Sequence, residues 1–364
     1  MSTRYHIIPI FVPHTGCPHD CVFCNQRKIT GVSTNITKDD VKEIIETYLQ
    51  TIPQSNEKLE IAFYGGSFTG IESDVQKELL SIAFEYKKRG TVDRIRLSTR
   101  PDYIDDERLL LLKDHGVDII ELGVQSMDEE VLEKSYRGHT SDDVRKAVKL
   151  IREYDFYLGL QMMMGLPKDT REKILYTTYE LLSLHPDFVR IYPTLVITDT
   201  YLEKQYLNGE YKPLTLEEAV SIATDVLMIF ENYNIKVIRI GLQPSDNVAE
   251  GKEIVSGPFH SSFRQLVESN IYRHIMSEVL KDINTHTREI KILIGNKEIS
   301  NLAGQRSSNI DFLKETFNLK KILIKGDNIP KDYFYIQTNN KSYKIDRKKY
   351  INNYLKQRDL LKLN

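Results

Sequence analysis

The chain has 364 residues, of which 40% are hydrophobic and 28% charged, with a formal net charge of −2. These are the proportions of an ordinary globular protein able to bury one large core, or one large and one small. No run of about 18 apolar residues occurs, so no membrane helix and no membrane partner are expected. The N-terminal Met-Ser-Thr-Arg-Tyr-His lacks the apolar run of a signal peptide, which makes cytoplasmic the default expectation.

The first 240 residues alternate between strand and helix patterns, as a parallel α/β sheet does. Tyr5–Val12 is a short apolar run. A helix follows from about Thr37, where Thr-Lys-Asp-Asp reads as a capping box with Asp40 in third place. Strands are expected at Leu59–Tyr64, Ile95–Ser98, Asp118–Gln125, Tyr157–Met164 and Phe188–Ile197. The helices between them are Ser73–Arg89, Asp105 to Gly116, Ser141–Tyr154 and Thr170–Leu184. A long helix, Thr215–Tyr233, precedes a last strand at Ile235–Ile240.

After Gly241 the texture changes. A helix at Ser262–Asp282 leads to strand-like Ile290–Ile294, a helix at Ile310–Thr316, strands at Lys321–Ile324 and Tyr333–Thr338, and a charged final stretch. Two domains are expected, residues 1–240 and a small basic α+β domain over 241–364. From Ile271 to Asn364 there are nineteen Lys and Arg against ten Asp and Glu, a local +9 that leaves −11 on residues 1–270. A basic tail of this kind suits a polyanion, or is a solvated surface. Six β/α units fit a partial barrel or a doubly wound sheet, and periodicity alone does not choose between them.

All three cysteines lie in Cys17-Pro-His-Asp-Cys21-Val-Phe-Cys24, a C-x3-C-x2-C spacing. Three thiolates from one loop suit a soft metal centre such as an iron–sulfur cluster. In a four-iron cluster three ligands leave one iron open. The competing readings are zinc, with His14 or His19 completing the set, and buried thiols. Structural zinc takes four protein ligands, usually as two separated pairs, and no second Cys pair exists. An odd count argues against disulfides.

The Cys spacing resembles the signature of the radical S-adenosylmethionine (SAM) superfamily. The resemblance implies a partial (β/α)6 TIM-like barrel followed by a small C-terminal α+β domain. It also implies a [4Fe-4S] cluster on Cys17, Cys21 and Cys24, whose open iron chelates SAM. An electron donor such as a flavodoxin, a ferredoxin or a reductase would be a partner. In β/α barrels the site lies at the C-terminal ends of the strands, and the notable residues cluster there. Gly65-Gly66-Ser67 ends strand two and resembles the superfamily's glycine motif at the SAM amino group. Ser98 ends strand three, ahead of a turn that Pro101 accounts for. Gln125 ends strand four, where an amide both donates and accepts. Arg137 is implied to clamp the SAM carboxylate, and Gln161 on strand five to face the ribose. Some relatives carry a carboxylate at that last position, so Gln161 departs from them. Met162, Met163 and Met164 read mostly as packing.

Ser98-Thr-Arg-Pro-Asp-Tyr103, Glu121-Leu-Gly-Val-Gln-Ser126, Arg137-Gly-His-Thr140, Met164-Gly-Leu-Pro167 and Arg190-Ile-Tyr-Pro-Thr-Leu-Val-Ile197 occur in that order. Together they resemble the radical SAM half of the Elongator catalytic subunit family (subunit 3), over roughly residues 1–240. That family modifies wobble uridine in tRNA. Two departures stand out: the first Cys spacing is shorter here, and no acetyltransferase domain is expected in these 364 residues, so acetyl-CoA chemistry is not carried over. The tail, with His260 and Arg264, resembles that of stand-alone bacterial relatives.

The leading expectation is therefore a radical SAM enzyme acting on a nucleoside in tRNA or other RNA. Tyr333, Tyr335, Tyr343 and Tyr350 in the basic tail are available to stack on bases or to pack as ordinary strand residues. The alternatives are a radical SAM enzyme acting on a small molecule, peptide or lipid, and a non-catalytic iron–sulfur sensor or scaffold. No acid–base pair marks a catalytic residue beyond the cluster.

Overall fold

A computed structural model describes residues 5–12, 21–25, 36–52, 58–242, 252–283, 288–338 and 341–362. The chain divides into two compact units. One is Met1–Leu214 with Gln243–Phe259, and the other is Thr215–Leu242 with His260–Asn364. No helix among the described residues is long and apolar enough to cross a membrane.

In the first unit the order is β1 (Tyr5–Val12), α1 (Lys38–Thr51), β2 (Lys58–Gly65), α2 (Ser73–Lys88), β3 (Arg94–Thr99), α3 (Asp106–Asp114), β4 (Ile119–Gln125), α4 (Glu129–Lys134), α5 (Ser141–Glu153), β5 (Tyr157–Met164), α6 (Arg171–Ser183), β6 (Phe188–Pro193) and α7 (Tyr201–Leu207). Local chemistry starts the helices. Thr37 caps α1 with the expected capping box through Asp40, Thr140 and Asp143 do the same for α5, and Thr170 caps α6. Each such cap contributes about 1 kcal/mol.

The six strands lie side by side in chain order and all run parallel. Every step moves to the next strand in the same direction, and because parallel crossovers share one hand, the helices fall on one face and the sheet curls into a partial barrel. A doubly wound sheet would need the order to reverse. The expected (β/α)6 TIM-like fold is the one found. Side chains such as Leu79, Leu80 and Ala83 of α2 and Val144, Val148 and Ile151 of α5 fill the layer between helices and sheet.

One expectation is corrected. Phe188–Ile197 is not a single strand: β6 stops at Pro193, and Val196–Ile197 pairs antiparallel with Ile254–Ser256. The Thr194 N–H closes the last β5–β6 rung on the Met164 carbonyl at 2.9 Å, and Pro193 has no N–H to offer a strand on its other side.

The second unit contains α8 (Leu216–Asn232), β7 (Lys236–Ile240), α9 (Phe263–Ile283), β8 (Glu289–Gly295), α10 (Ile299–Ala303), α11 (Ser308–Phe317), β9 (Lys321–Asp327), β10 (Tyr333–Gln337), β11 (Ser342–Asp346) and α12 (Arg347–Gln357). Its sheet has the order β9-β8-β10-β11, the first pair parallel and the others antiparallel. The charged final stretch is thus a strand and a helix. One face of the sheet is apolar and buried, through Ile290, Ile292, Ile294, Phe334, Ile336 and Ile345. Tyr272 of α9 packs edge-on against Phe334, with ring centroids 6.1 Å apart. Beside it, Lys331 reaches Glu268 at 2.9 Å and Glu231 at 3.1 Å. Arg347 bonds Glu268 at 3.0 Å and also meets Glu231.

Candidate active site

The described half of the Cys loop is held by its apolar residue. Val22 is fully buried with Val196, Leu202 of α7 and Tyr211. Its N–H donates to the Ser135 carbonyl at 3.2 Å, and its carbonyl accepts from Leu202 at 2.7 Å. Cys21 and Cys24 sit in one turn, closed by the Cys24 N–H on the Cys21 carbonyl at 2.9 Å. Cys17, like His14 and His19, lies outside the described residues.

Two arginines address Cys21. Arg137 Nη1 donates to its Sγ at 3.2 Å, and Arg100 Nη1 lies 4.0 Å from the same sulfur. Arg100 is braced by the Asp102 carboxylate at 2.9 and 3.0 Å and donates to the Arg137 carbonyl. Arg137 Nη2 donates to the Gly123 carbonyl at 2.5 Å. Arg137 thus ties the Cys loop to the end of β4.

The ends of the strands are shaped for close backbone approach. Gly65 has φ +104°, and a Cβ there would lie 2.6 Å from the Val12 carbonyl oxygen. The Gly66 N–H donates to that same oxygen at 3.2 Å. Ser67 is buried, its hydroxyl 2.8 Å from Thr99 Oγ1 and accepting from the Arg100 N–H at 3.2 Å. At the end of β4 the register to β5 shifts between Gly123 and Gln125. Gln125 takes φ +69°, a strained conformation for a residue with a Cβ. Its buried Oε1 has no hydrogen-bond partner among the described residues, and neither has Arg137 Nε.

Within the curl lies a charged network centred on fully buried Glu121. Its Oε1 accepts from Arg96 at 2.7 Å and Arg190 at 3.0 Å, and its Oε2 accepts from Gln161 at 2.9 Å. Arg96 also reaches Glu60 at 2.5 Å, and Arg190 reaches the Tyr64 hydroxyl at 2.9 Å. Burial pushes the Glu121 carboxyl up, but the guanidiniums of Arg190 and Arg96 outweigh it and hold the group below the usual carboxylate range. Burial pushes the Tyr64 phenol up. Two carboxylates and two guanidiniums leave the quartet neutral.

The anticipated residues divide into three sets. Arg137 joins Cys21, and a Cβ added at Gly123 would lie 3.1 Å from Gln125 Nε2 and 3.5 Å from Arg137 Nη2, so Gln125 belongs to the same cluster. Gln161 joins Ser98 at 3.4 Å as well as Glu121. Gly65, Gly66 and Ser67 line the ends of β1 and β2. Met162 and Met164 are core residues, whereas Met163 is half-buried. In the other unit Arg264 donates to the Val237 carbonyl at 3.0 Å, and His260 Nδ1 accepts from the Ser262 N–H at 3.0 Å. Sequence reasoning missed Glu60, Arg96 and Tyr64, and gave no role of their own to Arg100, Glu121 and Arg190, which stand in the motifs that carry the family resemblance. A signal existed: Glu60 and Tyr64, Arg96 and Ser98, Glu121 and Gly123, and Arg190 and Tyr192 alternate in register along their strands, which marks one face.

Residues 11–178 match the radical SAM superfamily, and residues 186–273 match the radical SAM C-terminal domain. An uncharacterized protein of Methanocaldococcus jannaschii is 32% identical over 222 residues, covering 58% of this chain and 68% of that protein. The chain belongs to the radical SAM superfamily. Among other superfamily relatives, a tRNA uridine(34) acetyltransferase of M. jannaschii is 26% identical over 308 residues, which are 74% of this chain and 56% of the relative. The chain therefore spans little more than half the length of that relative. The solved structure of the archaeal Elp3 of Methanocaldococcus infernus with an N-terminal deletion superposes with a TM-score of 0.59 at 22% identity, covering 79% of this chain and 65% of that one. That likeness bears on the fold.

The residues present fit the superfamily's cluster and SAM. Two thiols leave one anchored turn beside Arg137, Gly65 and Gly123 lack side chains at the strand ends, and Gln125 Oε1 and Arg137 Nε are buried without hydrogen-bond partners among the described residues.

Proposed function

We propose that this chain is a radical SAM enzyme that modifies a nucleoside in tRNA. The observation that carries the radical SAM part is the Arg137 guanidinium on Cys21 Sγ at the C-terminal end of the barrel strands. Cys21 and Cys24, with Cys17, would hold a [4Fe-4S] cluster. When bound, such a cluster supplies the electron that cleaves SAM and yields a 5′-deoxyadenosyl radical. A flavodoxin, a ferredoxin or a reductase would deliver that electron.

The chain's own residues bind and orient. Hydrogen bonds and charge beside the sulfurs tune a cluster, and Arg137 and Arg100 supply both. Gly65, Gly66 and Ser67 let the backbone approach the SAM amino group. The Gln125 amide has an unused acceptor for ribose or amino-acid donors. Gln161 spends its N–H groups on Glu121 and Ser98, so it meets a ligand through its carbonyl oxygen. The neutral quartet around Glu121 holds that amide in place and lines the curl with polar groups, as a polar substrate requires.

The RNA part rests on the tRNA-modifying relative and on the basic tail. The test is anaerobic cluster reconstitution, reduction with dithionite, and assay of 5′-deoxyadenosine with SAM, with Cys21→Ala as control and with bulk tRNA added. Product from the wild type alone, rising with tRNA, is expected. Product raised by a small-molecule extract and not by tRNA moves the substrate to metabolites. Cluster-loaded protein that forms no product with either addition is a sensor or scaffold.

A further inference from the structure

The second unit's sheet has one face packed and one face open. Along β8 to β11 the residues alternate, and register assigns each to a face. Two rows cross all four strands on the open side. One is Lys325, Leu293, Tyr335 and Lys344, and the other is Leu323, Lys291, Gln337 and Ser342. Tyr333 stands on the same face, with Lys344 Nζ 3.9 Å from its ring centroid. Leu323 is 48% exposed, and Lys325 and Lys344 are placed at opposite edges. Four strands at about 4.8 Å spacing put those two edges roughly 14 Å apart. The two rows hold three lysines and no carboxylate. Glu289, Asp327 and Asp346 sit at the corners of the face.

The structure also sorts the four tail tyrosines. Tyr343 pairs with Ile336 on the packed face, and the Tyr350 hydroxyl donates to Asp282 at 3.3 Å. Tyr333 and Tyr335 remain on the open face, in the middle of the lysines. Aromatic rings on a sheet, flanked by cations, are what an unpaired nucleic-acid strand binds: bases stack on the rings and phosphates meet the lysines.

We infer that this open face is a docking surface for an unpaired segment of RNA. A base stacks on Tyr335, its neighbour meets Tyr333, and Lys291, Lys325 and Lys344 take phosphates. The inference rests on the RNA reading of the substrate and adds where on the chain the RNA is held.

The chain contains no tryptophan, so Tyr335→Trp places a single reporter on the face. Titration of the full-length protein with a short oligouridylate and with bulk tRNA at low salt is expected to quench its fluorescence. Tyr335→Ala is expected to weaken oligouridylate binding about tenfold, and Tyr335→Phe to retain it. Lys291→Glu with Lys325→Glu is expected to lower the slope of log affinity against log salt by about 1.4, two phosphate contacts on a single strand. Circular dichroism of each variant reports folding. RNA bound without quenching, and with unchanged affinity in folded Tyr335→Ala and Lys291→Glu/Lys325→Glu, overturns this face and leaves the RNA substrate standing. No binding of either RNA at low salt removes both. SAM cleavage measured without added RNA is independent of either result.

Discussion

Arg137 and Cys21 are 116 residues apart in sequence, yet Arg137 Nη1 lies 3.2 Å from Cys21 Sγ. The same guanidinium donates to the Gly123 carbonyl, so one side chain couples the Cys loop to the mouth of the barrel. A planar fork makes that double contact, and an ammonium does not.

Arg137→Ala and Arg137→Lys are therefore both expected to lose about 10- to 100-fold in iron retention or 5′-deoxyadenosine formation, as removal of a partner of a metal ligand does. Iron content and product are measured on protein whose melting temperature is unchanged. Full iron content and full activity in Arg137→Lys would show that charge alone suffices there.

Glu121→Gln leaves Arg96 and Arg190 short of a buried partner, and a loss of roughly 3–5 kcal/mol is expected in denaturant unfolding. The folded Glu121 carboxyl titrates below its ordinary value of 4.5. Its contribution is thus complete above pH 4.5 and is lost as pH falls through the lower folded value. The wild type should lose stability on that acid limb more steeply than Glu121→Gln. Equal acid limbs would place the charge of Glu121 outside the energetics of the fold.

Gly65→Ala meets both a positive φ and the Val12 carbonyl oxygen at 2.6 Å. Backbone strain of about 1–3 kcal/mol is expected, felt at the end of β1 where the Cys loop begins. Thermal unfolding reads the first effect and cluster loading the second. An unchanged melting temperature would mean that β1 and β2 separate there without cost.

In the second unit, Arg347→Ala removes the closest guanidinium from the buried Glu268 carboxylate and leaves it Lys331 at 2.9 Å and Arg264 at 3.7 Å. A destabilisation of roughly 3–5 kcal/mol is expected. Arg347→Ala with Glu268→Gln should recover part of it, and a double variant no better than the single one would show that the pair does not interact.

Much of this was legible in the chain. The capping box at Thr37, the strand at Tyr157–Met164 and the positions of Gly65 and Gln125 at strand ends follow from local spacing, because caps and side-chain alternation are properties of a few consecutive residues. The end of β6 was not. Leu195, Val196 and Ile197 carry the apolar run on past Thr194, and that continuity hid what Pro193 does to the ladder. The strand at Ser342–Asp346 was hidden too: Ser342, Lys344 and Asp346 face outward, and their polarity masked the alternation with Tyr343 and Ile345.

The sequence by itself determined that three thiols share one loop, that six strands alternate with helices, and that the tail is basic. Tertiary structure alone decided that the strands run in chain order and so curl, that Glu121 meets Arg96, Arg190 and Gln161, and that Tyr333 and Tyr335 share an open face with lysines. Alternation tells which face of its own strand a residue occupies. Which residues then meet depends on strand order and register, and those are set by the packing of the whole sheet.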